Sequence, residues 1–166
     1  IAECLVGSEM CIRDSAKSSW DDFALKDFDR PLSTRGIQDA DLMGNYFRSK
    51  KIKLDIVFSS PSKRTRETLE HFFQFEKPSI KFEESIYHAS LDQLLNVIFG
   101  TPENLKNIMV VGHNPSMHEI TEYLGNKFIN KYPTCCLAAL SIDRRWNELS
   151  QGCGNLDFLK KPSELR

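Results

Sequence analysis

The sequence predicts an α/β fold, a three-layer sandwich in which a mostly parallel central sheet carries helices on both faces. Short apolar runs typical of buried strands alternate along the chain with amphipathic segments of helical period. No internal repeat or low-complexity linker divides the 166 residues, of which 40% are hydrophobic. One domain with a sizeable core is therefore expected.

The first half of the chain shows this alternation clearly. The segment 31–50 predicts a helix that begins after Ser33, its N-cap. Apolar residues then recur at the spacing of one helix face, at Ile37, Ala40, Met43 and Phe47. Residues 55–59 predict a strand that ends in a Ser-Pro turn and leads into a second helix. The apolar side of that helix is formed by Leu69, Phe72 and Phe73.

The second half continues the pattern. The segment "SIKFEE" predicts a third strand, and "SLDQLLNVIFG" predicts a short helix closed by Gly100. Residues 108–111 are apolar and rich in β-branched side chains, which is typical of a buried parallel strand. The segment "SMHEITEYLG" predicts the helix that follows, and "CLAALSI" predicts another strand. The last 24 residues indicate a polar edge hairpin and a tail.

Composition argues against several classes of function. The 22 basic and 23 acidic side chains give a formal net charge of -1, and no basic stripe with interleaved aromatics points to a nucleic acid. No apolar run approaches the roughly 18 to 20 residues of a membrane span, and no secretory leader pattern is visible. The five cysteines form neither a C-x-x-C pair nor an even disulfide framework. We therefore expect a cytoplasmic protein with no membrane or nucleic-acid partner.

Two loops that follow predicted strands carry candidate chemistry. His113 follows the strand at 108–111, and "SSPSKRTRET" follows the strand at 55–59. In a parallel sheet both loops lie on the rim where ligands bind. The second loop places polar and basic side chains beside a helix N-terminus, which suits phosphate: Ser59, Ser60, Lys63, Arg64 and Arg66.

A histidine opposite a basic phosphate site predicts phosphoryl transfer, because that reaction depends on positioning and on neutralising the transferred group. The alternative is structural. In that interpretation His113 is a hydrogen-bonded loop residue, and the basic side chains at 63, 64 and 66 form a solvated helix face.

Four ordered segments carry a family resemblance: "AKSSWDDFALKDFDRPLSTRGIQDA", "VFSSPSKRTRET", "IYHAS" and "VVGHNPSMHE". Together they resemble the histidine phosphatase superfamily, in its short phosphohistidine phosphatase (SixA-like) branch. The resemblance runs from about Ala16 to the C-terminus. It implies a phosphoglycerate mutase-like sandwich and phosphoryl hydrolysis without a cofactor. In that family a strand ends in Arg-His, the histidine attacks phosphorus to form a phosphohistidine, and water releases phosphate.

The same resemblance suggests roles for individual residues. Arg64 matches the second phosphate-binding arginine of the family, and His113 matches its second histidine, which stabilises the transferring phosphoryl group. Ser18 and Arg30 are expected to border the phosphate. Two further candidates for the pocket are Tyr87 and His88. For His88 three interpretations are open: it lines the pocket, it donates a proton to the leaving group, or it is a plain surface histidine. Tyr87 either lines the pocket or packs against its neighbours.

Residues 1–15 do not match the family. Alignment on Ala16 places Asp14 at the first arginine and Ser15 at the nucleophile, so neither catalytic residue is present. Arg13 lies one residue out of register, which in a strand would turn its side chain to the opposite face. Within this stretch, "EMCI" at residues 9–12 could replace the interior strand of the family. We therefore divide the chain into a non-family stretch, 1–15, and a histidine phosphatase domain, 16–166.

The mismatch has two explanations. Residues 1–15 resemble translated sequencing-adapter read-through, and our preferred interpretation is that the missing Arg-His is an assembly artefact. The alternative is a natural pseudoenzyme that binds phosphate or a phosphoprotein without turnover. In both cases Ser15 cannot match an imidazole nucleophile, and an Asp14 carboxylate would repel a phosphate dianion. We predict negligible phosphatase activity for this chain.

No metal or cofactor is expected. The acidic residues of the loop before the first helix lack a ligand spacing and are interpreted as loop solvation: Asp21, Asp22, Asp27 and Asp29. His118 lies five residues after His113, which does not match the i, i+4 metal pair. The expected partner is a phosphohistidine-bearing protein, because a short domain leaves its pocket open, with a small phosphate ester as the alternative. We expect a monomer.

Overall fold

A computed structural model describes residues 8–166, in which strands and helices alternate as predicted. The strands are β1 (Ser8–Asp14), β2 (Ile56–Ser59), β3 (Ile80–Phe82), β4 (Asn107–Gly112), β5 (Leu137–Ile142) and β6 (Gly154–Lys160). The helices are α1 (Thr34–Ser49), α2 (Lys63–Phe72), α3 (Leu91–Phe99) and α4 (Ser116–Gly125). Single turns of 3-10 helix lie at Asp27–Asp29, Glu84–Ile86, Trp146–Glu148 and Pro162–Glu164.

The described strands form one sheet in the order β3-β2-β4-β1-β5-β6. The pairs β1–β4, β2–β4 and β2–β3 are parallel, whereas β5 is antiparallel to both β1 and β6. Within residues 8–166, β5 alone therefore runs against the common direction, which confirms the mostly parallel sheet. The carboxyl ends of β1, β2 and β4 meet at one rim, and the candidate site lies there.

Helices cover both faces of the sheet, as the sandwich prediction requires. One face carries α1 and α2, whose buried apolar residues include Met43, Phe47, Leu69 and Phe72. The other face carries α3 and α4, whose buried apolar residues include Leu94, Ile98, Met117 and Ile120. The core is thus two apolar layers separated by the sheet. No helix within residues 8–166 has the length and apolar character needed to cross a bilayer.

The N-terminus of α1 is fixed against the segment that follows β1. Ser33 caps the helix as predicted, because its Oγ accepts a hydrogen bond from the Gly36 N–H at 3.1 Å. The same hydroxyl donates to the Lys17 carbonyl at 3.0 Å. A Cβ on Gly36 would lie 2.2 Å from that carbonyl oxygen, so glycine permits this close approach.

Residues 8–14 fill the interior position of the sheet. Glu9 is paired with Asn107 of β4 on one side and with Ser141 of β5 on the other. The prediction that residues 9–12 could supply this strand is confirmed, and the strand extends to Ser8 and Asp14. Its apolar side chains alternate between the two core layers. The division of the chain after residue 15 remains a prediction, and residues 1–7 lie outside the described part.

The C-terminal segment differs from the predicted polar hairpin and tail. It contributes one edge strand, β6, which pairs with β5 instead of with a second strand of its own. Trp146 anchors the connection because it is buried, and its Nε1–H donates to the Leu105 carbonyl at 2.7 Å. The polar composition of β6 obscured this pairing, since an edge strand buries only part of its surface.

Candidate active site

The candidate site is a cavity of about 290 Å³ beyond the carboxyl ends of β1 and β4. The residues that line it come from distant parts of the chain: Asp14, Ser15, Ala16, Lys17, Ser18, Trp20, Asp27, Arg30, Arg64, His113, Asn114 and Thr134. Backbone hydrogen bonds join the loops, since the Ser15 N–H donates to the Gly112 carbonyl and the Ser60 N–H donates to the Val111 carbonyl, each at 3.0 Å. The two predicted loops therefore meet at one rim.

The ring of His113 is buried and contacted at both nitrogens. The Arg64 Nε–H donates to Nδ1 at 3.3 Å, and Ser15 Oγ lies 3.4 Å from the same atom. Because Nδ1 accepts from arginine, the ring proton is on Nε2, which donates to Ser60 Oγ at 2.9 Å. Ser60 is thus a second partner of the histidine, supplied by the loop after β2.

The His113 imidazole is neutral at pH 7. Burial, followed by the electrostatic influence of Arg64 and His88, lowers the pKa of His113 to about 3. A phosphate dianion in the cavity would favour the imidazolium form and oppose this shift. The protonation state of His113 is therefore coupled to anion binding.

Arg64 is a buried cation of the cavity, and two of its three side-chain nitrogens are engaged. Its Nη1 donates to the carbonyl oxygen of Asp27 at 2.9 Å and to Oδ2 of the same residue at 3.0 Å, while Nε contacts His113. Nη2 makes no hydrogen bond to any residue in 8–166, so it is available to an oxygen of a bound anion.

The other basic residues of α2 do not reach the cavity. Lys63 Nζ lies 4.0 Å from a carboxylate oxygen of Glu67, and the Arg66 Nε–H donates to the Pro61 carbonyl at 2.8 Å. The interpretation as a solvated helix face therefore fits Lys63 and Arg66, but it fails for Arg64. The predicted anion-binding role of this helix end rests on Arg64 alone.

Asp27 connects the walls of the cavity, and its interpretation as loop solvation is wrong. Besides Arg64, its Oδ2 accepts from the Tyr87 hydroxyl at 2.7 Å and lies 3.4 Å from His88 Nε2, and its Oδ1 accepts from Arg30 Nη1 at 3.2 Å. Burial alone would raise the pKa of Asp27, but the hydrogen bonds from Tyr87 and Arg64 lower it below its ordinary value. Nothing in the sequence distinguishes this aspartate from its acidic neighbours.

Ser18 and Arg30 both line the cavity, yet the guanidinium of Arg30 is occupied by its own loop. Its Nη2 donates to Ser18 Oγ at 2.7 Å, and its Nε donates to the Ser19 carbonyl at 3.0 Å. The group also stacks on Trp20, with Cζ 3.3 Å from the ring centroid. Arg30 therefore organises the wall that borders a bound anion.

Tyr87 and His88 lie beside the cavity. Tyr87 packs its ring edge against His113 with centroids 5.6 Å apart, and burial together with Asp27 raises the pKa of Tyr87 to about 12. The Tyr87 hydroxyl is thus a fixed donor to Asp27. The side chain of His88 is 64% exposed; its Nε2 lies 3.4 Å from the same carboxylate, and its ring lies against that of Tyr87 with centroids 4.1 Å apart.

The side chain of Asp14 is buried against the loop that carries His113. Its Oδ1 accepts from the Asn114 N–H at 3.0 Å, and its Oδ2 accepts from Asn114 Nδ2 at 3.4 Å. Burial raises the pKa of Asp14 to about 7. The cavity therefore gains a negative charge as the pH rises through neutrality. Within residues 8–166, no group of three or more His, Cys, Asp or Glu side chains is placed to hold a metal ion.

Arg13 points away from the cavity, as the register argument predicts. Its guanidinium lies against Phe72 of α2, and its Nη2 donates to Cys135 Sγ at 2.9 Å. Its Nε and Nη1 are buried without a hydrogen-bond partner in the described part of the chain. Arg13, two residues before the nucleophile position, therefore contributes nothing to anion binding.

Comparison with known proteins identifies relatives over most of the chain. A family model described as histidine phosphatase superfamily (branch 1) matches residues 21–93. An uncharacterized protein of Mycobacterium tuberculosis (strain CDC 1551 / Oshkosh) is 30% identical over 151 residues, which cover 85% of this chain and 94% of that protein. An uncharacterized chloroplastic protein of Arabidopsis thaliana is 35% identical over 146 residues, covering 80% of this chain and 66% of its own length.

Several solved structures are similar to this chain. One from Nakamurella multipartitia, assigned to the phosphohistidine phosphatase SixA, has a TM-score of 0.83 at 22% identity and covers 94% of this chain and 96% of its own. The protein histidine phosphatase SixA in complex with tungstate has a TM-score of 0.81 at 21% identity, with 95% and 99% covered. At these identities the likeness shows a shared fold.

Proposed function

This chain belongs to the histidine phosphatase superfamily (branch 1), and we propose that its cavity binds the phosphoryl group of a phosphohistidine. One observation carries the proposal. Ser15 Oγ and Arg64 Nε both lie within 3.4 Å of His113 Nδ1, so the residue at position 15 faces a neutral histidine and a guanidinium. That arrangement fits a nucleophile position opposite two groups that stabilise a transferring phosphoryl group.

An imidazole at position 15 would complete phosphohistidine hydrolysis. Its nitrogen would attack phosphorus while the bond from phosphorus to the substrate imidazole breaks, and the leaving imidazole would take a proton. Water would then attack the enzyme-bound phosphoryl group and release phosphate. Arg64 Nη2 is free to bind the phosphoryl oxygens, where negative charge is concentrated, so positioning and charge neutralisation carry the reaction.

The chain with Asp14 and Ser15 lacks this reactivity. A serine hydroxyl needs a base to become a nucleophile, and the nearest nitrogen, His113 Nδ1, already accepts a hydrogen bond from Arg64. The low pKa of His113 makes it a weak base as well. We therefore propose that this chain binds the phosphoryl group and hydrolyses it negligibly.

A phosphorylated protein is the favoured substrate, with a small phosphate ester as the alternative. The cavity is open, and the rim residue Trp20 is 62% exposed, so a macromolecule can approach. One structure with this fold is a protein histidine phosphatase in complex with tungstate. Another is a phosphoserine phosphatase of Entamoeba histolytica in complex with 3-phosphoglyceric acid, with a TM-score of 0.62. The fold alone therefore does not select the substrate.

The test is restoration of activity. The chain as it stands, the double variant D14R/S15H and the triple variant D14R/S15H/R64A are assayed on a phosphohistidine-bearing protein and on p-nitrophenyl phosphate. We expect turnover in the double variant alone, with the protein as the better substrate. A folded double variant that is inactive on both substrates, or turnover by the chain as it stands, would overturn the proposal.

The second candidate function is that of a natural pseudoenzyme, which binds phosphate or a phosphoprotein and does not regain hydrolysis when Arg-His is restored. The observation that favours it is the intact placement of Arg64 and His113 beside a position that holds serine. The second function is supported if the chain as it stands binds inorganic phosphate without turnover and if R64A abolishes that binding. It becomes the preferred function if D14R/S15H also fails to hydrolyse phosphohistidine.

A cytoplasmic location and a monomeric state are also part of the proposal. The described cysteines are free, as suits a reducing compartment: Cys11, Cys135, Cys136 and Cys153. Light scattering on the purified chain tests the monomer, with the mass of a dimer as the contradicting result. Fractionation of the source cells tests the location.

A further inference from the structure

A second cavity, of about 560 Å³, adjoins the candidate site. We call it the basic groove. It is lined by residues from the segment after β1, the N-terminal half of α1, the loop before β5 and the C-terminal turn: Lys17, Arg35, Asp39, Lys131, Pro133, Thr134, Lys161, Pro162, Ser163 and Arg166. The proposed function assigns no role to this groove.

The charge of the basic groove is strongly positive. Five of its lining side chains are cations, and Asp39 is the one carboxylate among them. Asp39 is paired with Arg166, Nη2 to Oδ1 at 2.5 Å, and more loosely with Arg35, Nε to Oδ2 at 3.8 Å. Within residues 8–166 the three lysines have no ion-pair partner. The groove therefore holds an excess of positive charge in a protein whose formal net charge is -1.

The basic groove and the phosphoryl cavity share two lining residues, Lys17 and Thr134. The boundary between the two is held by backbone contacts, since the Ser33 N–H donates to the Lys17 carbonyl at 2.9 Å and the Cys135 N–H donates to the Ser15 carbonyl at 3.1 Å. A ligand whose phosphoryl group occupies the cavity therefore lies next to the groove, and its neighbouring part can reach the groove across Lys17 and Thr134.

The residues that line the basic groove indicate which kind of ligand it binds. Lysine presents a hydrated point charge that suits carboxylates, and no lining residue of the groove is aromatic, so there is no surface on which a nucleobase could stack. The apolar lining residues are two prolines, too few to hold a lipid chain. The groove thus favours a polar, acidic chain over a nucleotide or a lipid.

Exposed aromatic side chains in the loop before α1 point to a polypeptide. Trp20 lines the phosphoryl cavity and is 62% exposed, and Phe23, three residues further along the same loop, is 87% exposed. A surface that offers both cations and aromatic rings resembles the mixed surface of protein interfaces. We propose that the basic groove binds an acidic segment of the phosphorylated protein, next to its phosphohistidine. This inference rests on the proposed function.

The experiment measures binding of labelled peptides to the chain as it stands. Each peptide carries either four glutamates or four glutamines beside a central residue, which is either histidine or a stable phosphohistidine analogue, phosphoryltriazolylalanine. K131E/K161E reverses two charges that lie in the groove and outside the phosphoryl cavity. K53E/K106E is the matched control, since it reverses two exposed lysines remote from the groove.

We expect the glutamate peptides to bind better than the glutamine peptides, and K131E/K161E to weaken the glutamate peptides about tenfold while the control pair has little effect. Equal binding of the two peptide sets, or equal effects of the two double variants, overturns the inference. Tighter binding of a single-stranded oligonucleotide than of the glutamate peptide would also overturn it.

The same data separate the groove from the proposed function. In R64A, phosphorylated and unphosphorylated peptides should bind equally well within each peptide set. The glutamate peptides should still bind more tightly than the glutamine peptides. If R64A leaves the effect of phosphorylation unchanged, the proposed function fails while the groove still stands on the unphosphorylated peptides.

Discussion

The guanidinium of Arg13 lies over the ring of Phe72, with Cζ 3.8 Å from the ring centroid, between the sheet and α2. The guanidinium is completely buried, and its loss of solvation is offset by this stacking and by one hydrogen bond to Cys135 Sγ. Two of its nitrogens lack a partner in the described part of the chain. A buried cation satisfied so incompletely should cost stability.

The first prediction follows from this contact. Arg13→Met keeps an unbranched side chain against Phe72 and removes the buried charge, so we expect the free energy of unfolding to rise by about 1–3 kcal/mol. Urea denaturation measures the change. Arg144→Met, at an exposed position, is the control and should have little effect. A less stable R13M chain would show that the guanidinium contacts are net favourable.

The second prediction concerns the pH dependence of stability. Asp14 has a pKa of about 7 in the folded chain against 3.8 as a free group, so the folded state holds the extra proton and Asp14 makes stability fall as pH rises from about 4 to 7. His113 has a pKa of about 3 against 6.5, so it makes stability rise with pH over about 3 to 6.5. In the chain as it stands, the contributions of Asp14 and His113 to the pH dependence of the free energy of unfolding therefore oppose each other.

Single variants should separate these slopes. In D14N the free energy of unfolding should increase between pH 4.5 and 6.5, and in H113N it should decrease, each by up to about 1.4 kcal/mol per pH unit. Urea titrations at several pH values measure both. Two variants with parallel pH profiles would contradict the assignment of these protonation states.

The third prediction links Asp14 to anion binding. Sulfate keeps two charges between pH 6 and 8, whereas the Asp14 carboxyl becomes ionised over that range. Repulsion should weaken sulfate binding about three- to tenfold from pH 6 to pH 8 at constant ionic strength, and Asp14→Asn should remove most of this loss. Calorimetric titration measures the affinity. D29N, at an exposed aspartate of the same charge, should retain the full dependence on pH.

The fourth prediction tests the connecting role of Asp27. Asp27→Ala removes the acceptor shared by Arg64 and Tyr87, so the 3-10 turn at Asp27–Asp29 should open more often. We expect faster amide hydrogen exchange in the peptide that contains this turn. D29A lies in the same turn without side-chain contacts of this kind and serves as the matched variant. Equal rates of amide hydrogen exchange in D27A and D29A would contradict the connecting role of Asp27.

Most of the fold could be predicted because its elements carry local patterns. The strand predicted at 108–111 became β4 with one added residue at each end, and the helix closed by Gly100 ends there. For β1 the local pattern predicts residues 9–12 and not the ends of the strand. Glu9, Arg13 and Asp14 interrupt its apolar pattern, and its place in the sheet is decided by pairing with two distant strands.

The candidate site was predictable where residue type and position in a loop coincide, as they do for Arg64 and His113. Asp27 and Ser60 contribute through three-dimensional contacts with those two residues, and no spacing in the sequence records such contacts. Arg30 lines the cavity, yet its engagement with Ser18 depends on rotamers that a sequence does not specify.

The interior position of β1 also has a consequence for the order of events during synthesis. Glu9 leaves the ribosome well before its partners Asn107 and Ser141. Because β1 lies between β4 and β5, the nascent sheet stays open at its centre until β5 has been translated. Such long-range closure slows folding and leaves an apolar strand exposed to other chains meanwhile. This polypeptide should therefore depend on chaperones in proportion to how slowly the segment from β1 to β5 is made.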